Sequence, residues 1–417
     1  MRILLSAFAC DPGLGSEEGV GWEWAYNLAR AGQEVCVLTR DYYRDAIEEA
    51  LKHLHLPTLR FEYVSVKHVR FWMPGVGVYP YYTCWQWNAY RRAKHLHREQ
   101  QFAIVHHVTY SAFRNPSYLF MLPGTAFVFG PVGGGERAPR ALRVSMSRQA
   151  RVFESARDIA NLLPHFDPFW RLMLKRSARI VAKTEETRAS LPRSSMKRTI
   201  ISMEHMITER PRLAGGIRRV PPLKLLFAGR LLAWKGVHLA LRALALVLEK
   251  EPAELTIVGK GPEEDRLKAD VKRLNLEKFV HFAPWMPKSE VLDLYSTHDA
   301  LLFPSLHDSS GTVVMEAITH GRPVICLDLG GPSVTVDESC ARIVNTRHKT
   351  EEQVVQGMAN AVLEFCLMSP ENWETLRRAA ARRAQLYTPS QVIGRVYGPL
   401  IGSCITESMD DMLVSSR

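Results

Sequence analysis

The sequence predicts an α/β protein made of two doubly wound, Rossmann-like domains that face each other across a cleft. Three observations carry that prediction. The chain has 417 residues, too many for one ordinary core and suited to two domains of about 200 residues each. Both halves alternate short apolar strand-like runs with helical segments, the pattern of parallel sheets built from βα units. Between the halves, residues 207–222 read ITERPRLAGGIRRVPP, with three prolines, two glycines and no hydrophobic period; such a stretch is a linker.

The first half opens on an apolar strand, RILLSAFA, followed by a glycine-containing loop, a helix from about Glu17 to Ala31 and a second strand, EVCVLT. Strand, loop, helix and strand in succession form a βαβ unit with a right-handed crossover. FEYVSV, FAIVHHV, TAFVFG and ARIVAKT are further strands, and two helices fill 151–177. The second half repeats the unit more cleanly. LKLLFAG leads to a helix over 236–250, ELTIVG to one over 262–274, and FVHFA to one capped by Ser289. DALLFP precedes a loop and the helix TVVMEAIT, and PVICLD closes the series. Domains of 1–206 and 223–388 follow, with a segment 389–417 expected to pack back on the first. The tail from Trp373 starts as a basic helix and then meets Pro389.

Composition narrows the function classes. Hydrophobic residues make up 46% and charged residues 23%, so a folded chain is expected throughout. No run reaches the roughly 20 apolar residues of a membrane-spanning helix. The opening MRILLSAFAC has the look of a short signal, but it runs into DPGLGSEEG and reads as a first strand and its loop. Seven cysteines without C-x-x-C spacing point to reduced thiols in a cytoplasmic protein. Residues 1–217 hold 30 Lys and Arg against 19 Asp and Glu, whereas 218–417 hold 24 against 24. A basic first half attracts phosphates or an anionic membrane surface; a solvated face is the plainer reading. No nucleic-acid-binding motif accompanies it.

Three segments of the second half carry chemistry. FAGRLLAWKG ends a strand on Gly229 and places Arg230 and Lys235 before a helix N-terminus, which suits a diphosphate. IVGKGP ends the next strand on Gly259 and Gly261, where backbone can approach a ligand closely, and Pro262 opens the helix. FPSLHDSSGTVVMEAITHGRPVI supplies Asp308, Ser309, Ser310 and Gly311 in a loop, the amides of Thr312 and Val313 at a helix mouth, and Glu316 one turn inside. A loop carboxylate can accept sugar hydroxyls, helix-mouth amides can hold phosphate, and a second carboxylate can grip a ribose diol.

In this order the three segments resemble the donor domain of glycosyltransferase family 4, a retaining family of GT-B fold with G-R-x(n)-K-G, V-G-x-G-P and carboxylate-x7-Glu segments. The resemblance is strong over about 223–330. It extends more weakly to ACDPGLGSEEGVGWEW and FGPVGGGE, which are similar to segments of bacterial polysaccharide-assembly enzymes. It implies that Arg230 and Lys235 neutralise a nucleotide-sugar diphosphate, that Glu316 holds the ribose and that Asp308 contacts the donor sugar. The family usually has Glu where Asp308 stands, one methylene longer. Gly13 and Gly15 would form the glycine loop that closes on the donor. His107, or its neighbour His106 in the other register, would be the histidine such enzymes place near the reaction; a satisfied core histidine is the other reading.

The resemblance further implies a nucleotide-sugar donor and a saccharide or polyprenyl-linked acceptor. No D-x-D sequence is present, so no metal and no cofactor is expected. Residues 71–90 carry eight aromatics and 137–157 six arginines, which suits docking on an anionic membrane, the inner face of the cytoplasmic membrane being the expected place; ordinary packing is the rival. A sugar-nucleotide epimerase or a non-catalytic sugar-nucleotide-binding protein of the same fold are the alternative functions.

Overall fold

A computed structural model describes residues 1–66, 78–110, 112–209, 211 and 221–401. Most of the predicted linker, the start of the aromatic 71–90 segment and the tail beyond residue 401 lie outside the described residues. The chain divides into two compact units, one of residues 1–135, 160–206 and 389–417, the other of residues 136–159 and 207–388.

The first unit contains β1 (Arg2–Ser6), α1 (Ser16–Arg30), β2 (Glu34–Arg40), α2 (Arg44–Lys52), β3 (Leu59–Val64), α3 (Val78–Gln100), β4 (Ile104–His107) and β5 (Ala126–Val132). After α4 (Arg148–Ala160) come α5 (Pro168–Arg176), β6 (Arg179–Ala182), α6 (Glu185–Ala189) and β7 (Thr199–Ile201). The sheet order is β3-β2-β1-β4-β5-β6-β7, and each strand pairing in it is parallel. Its strands read as continuous apolar runs because both faces are covered. Ile3, Leu5, Val35 and Val37 face a cluster with Trp24 and Leu28 of α1, whereas Leu4, Cys36 and Leu38 face Trp85 and Ala89 of α3. Val392, Ile393, Val396 and Tyr397 of α14 (Pro389–Ile401) complete the first cluster.

The second unit contains β8 (Leu223–Ala228), α7 (Val237–Leu248), β9 (Ala253–Val258), α8 (Glu264–Arg273), β10 (Val280–Ala283), α9 (Lys288–Thr297) and β11 (Ala300–Phe303). It continues through α10 (Thr312–Thr319), β12 (Val324–Leu327), α11 (Gly330–Thr335), β13 (Ala341–Val344), α12 (Glu351–Leu367) and α13 (Pro370–Ala384). Its order, β10-β9-β8-β11-β12-β13, repeats the winding of the first sheet. Two parallel doubly wound sheets give the chain a GT-B, two-Rossmann architecture.

Four local expectations change. PVICLD does not close the second series, because β13 pairs in parallel with β12 beyond it. Ser289 does not cap α9: the helix begins at Lys288, with Pro287 in the N-cap position, because proline's fixed φ suits the residue that feeds a first turn. Pro262 lies in the turn ahead of α8 rather than opening it. Residues 136–159 group with the second unit although chain order suggests the first. Specific contacts hold them there. The Ser145 amide and hydroxyl donate to Glu351 Oε2 at 3.2 and 2.9 Å, and Arg266 donates to the Ser145 carbonyl.

Burial is mixed within the aromatic and basic stretches, and Arg137, Arg140, Arg148 and Arg151 are exposed. Tyr82 and Trp85 are buried, while Trp87 is 48% exposed. Arg143 pairs with Asp158 at 2.8 Å and Arg157 with Glu136 at 3.8 Å, inside the second unit. The described cysteines are free thiols, all but Cys84 buried. No described helix is long and apolar enough to cross a membrane.

Candidate functional site

In the second sheet the winding reverses between β8 and β11. Ligands of open parallel sheets sit beyond the carboxyl ends at such a switch point. β8 delivers Gly229 and Arg230 and, after a short turn over Ala233–Lys235, Lys235 itself. β11 delivers the loop that carries Asp308. The Leu306 amide donates to the Trp234 carbonyl at 2.7 Å, which ties the two loops together.

The ammonium of Lys235 donates to Asp308 Oδ2, and it lies 5.0 Å from the centre of the Phe303 ring. Asp308 Oδ1 accepts from the amides of Ser310 and Gly311, each at 3.3 Å. Burial pushes the Asp308 carboxyl up, but the Lys235 charge and hydrogen bond, helped by the two amides, outweigh it and hold the carboxyl below its ordinary range. The side chains of this pair are only 16% and 17% exposed. They therefore interact more strongly than a surface pair, for which about 0–1 kcal/mol is usual, and loss of one partner leaves a half-buried charge uncompensated. Arg230, by contrast, is exposed. Its guanidinium has no ion pair among the described residues.

Asp308 is fixed from behind as well. The Gly331 amide donates to its carbonyl at 2.7 Å. α10 starts from Gly311 in the left-handed region with no side-chain cap, so its first amides, those of Thr312 and Val313, point out of the helix mouth. That mouth carries partial positive charge suited to an anion. Glu316 stands one turn along, half-buried, with Oε2 3.5 Å from the Tyr295 hydroxyl and Oε1 3.7 Å from Lys288 Nζ. Tyr295 also donates to the Val313 carbonyl at 3.0 Å. Burial, then the charge of Glu316, pushes its phenol far above the ordinary value, so it stays a donor.

Gly259 and Gly261 have a local reason. At φ 143° a side chain on Gly259 would collide with the Gly229 carbonyl, and one on Gly261 with the Leu231 carbonyl. The backbone that approaches these glycines is the β8 loop itself, so they let the turn that holds Arg230 sit directly beside β9.

The structure brings Lys235, Asp308, Ser310 and Gly311 into one bonded cluster, with Glu316 on the helix that follows. Ser309 lies in the same loop. Gly13, Gly15 and His107 belong to the other unit. Asp11 Oδ1 accepts from the Gly13 and Leu14 amides at 2.8 and 3.1 Å, and Gly15 is the N-cap position of α1. The first sheet's switch point, between β1 and β4, holds His106 and His107, both fully enclosed. His107 Nε2 lies 3.1 Å from the Tyr82 hydroxyl, and its Nδ1 has no hydrogen-bond partner among the described residues. His106 lies 2.5 Å from both the Tyr397 hydroxyl and the Gly130 carbonyl. Burial lowers the two to about 4 for His106 and about 3 for His107, so both rings are neutral at pH 7.

Sequence reasoning missed several neighbours. Trp234 and His307 stack with ring centroids 5.0 Å apart, beside Lys235 and Asp308 respectively. Both sit inside the motifs, and an aromatic before each charged residue was the available signal. In the first unit Lys183 pairs with Glu204, and His205 Nδ1 lies 3.4 Å from Glu23 Oε2. Nothing in the sequence marks those four as neighbours. Among the described residues no group of three or more His, Cys, Asp or Glu side chains is arranged to hold a metal ion.

Comparison with known proteins bears on the family and the fold. Residues 217–365 match the family model Glycosyl transferases group 1. The chain is 24% identical over 287 residues to WcaL of Escherichia coli K12, whose name assigns it a glycosyltransferase role in colanic acid biosynthesis; the match covers 66% of this chain and 68% of that one. It is 29% identical over 174 residues to the D-inositol 3-phosphate glycosyltransferase of Saccharomonospora viridis, 39% of either chain. In fold it is similar over the full length of both chains to the sucrose-phosphate synthase of Thermosynechococcus elongatus, at 18% identity and a TM-score of 0.65. Anabaena HepE, solved with UDP and glucose, is similar over both full lengths at 15% identity and a TM-score of 0.55. The chain is thus a transferase enzyme of the glycosyltransferase type and of GT-B fold.

Proposed function

We propose that the protein is a retaining glycosyltransferase that moves a sugar from a nucleoside-diphosphate carrier to a saccharide acceptor, probed first as a lipid-linked one, in surface polysaccharide assembly. The observation that carries this reading is the pairing of Lys235 with Asp308 at the β8/β11 switch point, inside the segment that matches group 1 glycosyl transferases. Resemblance to family 4 supplies the retaining course, and the name of WcaL supplies the pathway.

In this reading the diphosphate lies against Lys235, Arg230 and the mouth of α10, and Glu316 accepts from the ribose hydroxyls. The bond between the sugar's anomeric carbon and the phosphate oxygen breaks as a bond to the acceptor oxygen forms on the same face. The acceptor's proton passes to the departing phosphate. Two cations and aligned amides neutralise the leaving group without a metal, and this preorganised charge supplies most of the acceleration. Asp308, held ionised by Lys235, accepts from the donor sugar's hydroxyls. HepE was solved with UDP, so UDP-sugars are the first donors to try.

The test is the anomeric course of donor turnover with and without EDTA, followed by proton NMR. Release of the sugar with its donor configuration, unchanged by EDTA, supports the reading; an inverted first product or strict dependence on a divalent ion sinks it. Pelleting with anionic vesicles at low salt tests peripheral docking. A chain that stays in the supernatant removes the membrane from the account.

A further inference from the structure

α4 reaches the loops of the candidate site with two adjacent side chains. Phe153 stacks on Trp234, their ring centroids 5.9 Å apart and their planes 13° from parallel. Glu154 Oε1 lies 2.8 Å from His307 Nε2, and the two side chains are 1% and 7% exposed. Trp234 immediately precedes Lys235, and His307 immediately precedes Asp308. Because Trp234 and His307 also stack on each other, the Phe153–Trp234–His307 rings and the Glu154 carboxylate form one unit against the backbone of both loops.

We propose that α4 is a positioning element of the donor site: Glu154 and Phe153, acting through His307 and Trp234, hold Lys235 against Asp308. This rests on the donor-site reading given above. Fixing the side chain of one residue narrows the backbone torsions of the next, so anchoring positions 234 and 307 restricts where the charged groups at 235 and 308 can point. Glu154 is an unusual choice if it only stabilises. Its second oxygen, Oε2, is buried with no hydrogen-bond partner among the described residues, and buried polar atoms are rarely left so. The carboxylate bears that cost for its contact with His307. Misplacing reacting groups by about 1 Å can cost on the order of 100-fold in rate, so a clamp one residue from each charge has leverage on turnover.

The experiment uses the full chain with Glu154→Ala, Glu154→Gln and Phe153→Ala. Hydrogen exchange is followed in peptides covering 232–236 and 304–311, and kcat and KM are measured with whichever of the UDP-, GDP-, ADP- or TDP-sugars the wild type accepts. The alanine variants are expected to speed exchange in both loops and to lower kcat about tenfold or more, with KM changed less. Glu154→Gln keeps a carbonyl acceptor for His307 and is expected to recover most of the rate. Wild-type exchange in both alanine variants overturns the proposal, as does faster exchange with unchanged kcat, or glutamine no better than alanine. A wild type that accepts none of the four donors refutes the donor reading instead, and the exchange rates then decide the clamp alone.

Discussion

The Lys235 ammonium is bonded to Asp308 Oδ2 while the other oxygen of that carboxylate takes two backbone amides. A lysine suited to a diphosphate thus rests on a carboxylate suited to a sugar. In the proposed reading an arriving diphosphate draws Lys235 from one anion toward the other, so the ammonium is never left unpaired. Arg230, exposed and without an ion pair among the described residues, needs no such exchange.

The Asp308 carboxyl is held below its ordinary value of 3.8. A depressed carboxyl contributes stability that is present above the unfolded pKa and is lost as pH falls through the folded one. Its contribution should therefore disappear only below about pH 4. Asp308→Asn is expected to flatten urea stability against pH in that acid window and to lower stability at pH 7. A variant whose acid limb matches the wild type would contradict the ion pair.

The two buried histidines act in a different window. Their pKa values fall from 6.5 to about 4 and about 3, so the native state resists protons that the unfolded chain takes up. Stability is full above 6.5 and declines as pH falls toward 4, by about 2 kcal/mol per histidine at pH 5. His107→Gln, which does not titrate, should lose visibly less stability than the wild type between pH 7 and pH 5. An equal loss in the two proteins would show that His107 is not buried as a neutral ring.

Glu316 is half-buried with Tyr295 and Lys288 as neighbours at hydrogen-bond to ion-pair range. Glu316→Ala is expected to cut turnover on the order of 100-fold, the size of one preorganised polar contact to the reacting assembly. It should leave thermal stability within a few degrees of wild type. Near-normal turnover would remove the ribose assignment.

Gly259 illustrates a glycine required by the chain itself. Gly259→Ala would force a side chain onto the Gly229 carbonyl at a φ of 143°. The expected loss is about 2 kcal/mol or more of stability in the second unit, read as a lower denaturant midpoint. A neutral substitution would mean the β8 and β9 loops have room that the structure does not show.

Much of this was legible in the sequence where period and punctuation coincide. TVVMEAIT is α10 residue for residue, because a left-handed glycine starts it and the buried positions follow the helical period. β8, β9, β10 and β11 were visible as short apolar runs ending on glycine or proline and β12 as PVICLD, whereas the short β13 was not read. The candidate site residues of that unit were legible only as members of those motifs, at the ends of β8, β9 and β11. The 136–159 excursion was not legible. Its attachment depends on Ser145, Phe153 and Glu154 meeting Glu351, Trp234 and His307, partners 81 to 206 residues away for which local pattern carries no signal. Nor could alternation decide which histidine of His106–His107 matters, since the strand is buried on both faces.

The most direct test is calorimetric titration of UDP, GDP, ADP and TDP into the wild type and into Lys235→Ala. One nucleotide is expected to bind the wild type with or without EDTA, and Lys235→Ala to weaken it at least about tenfold, the size of one charge-assisted contact of about 1.5–3 kcal/mol. Equal affinity in the two proteins, or no binding of any of the four to folded wild type, would contradict the assignment of Lys235 and Asp308 to a nucleotide-sugar site.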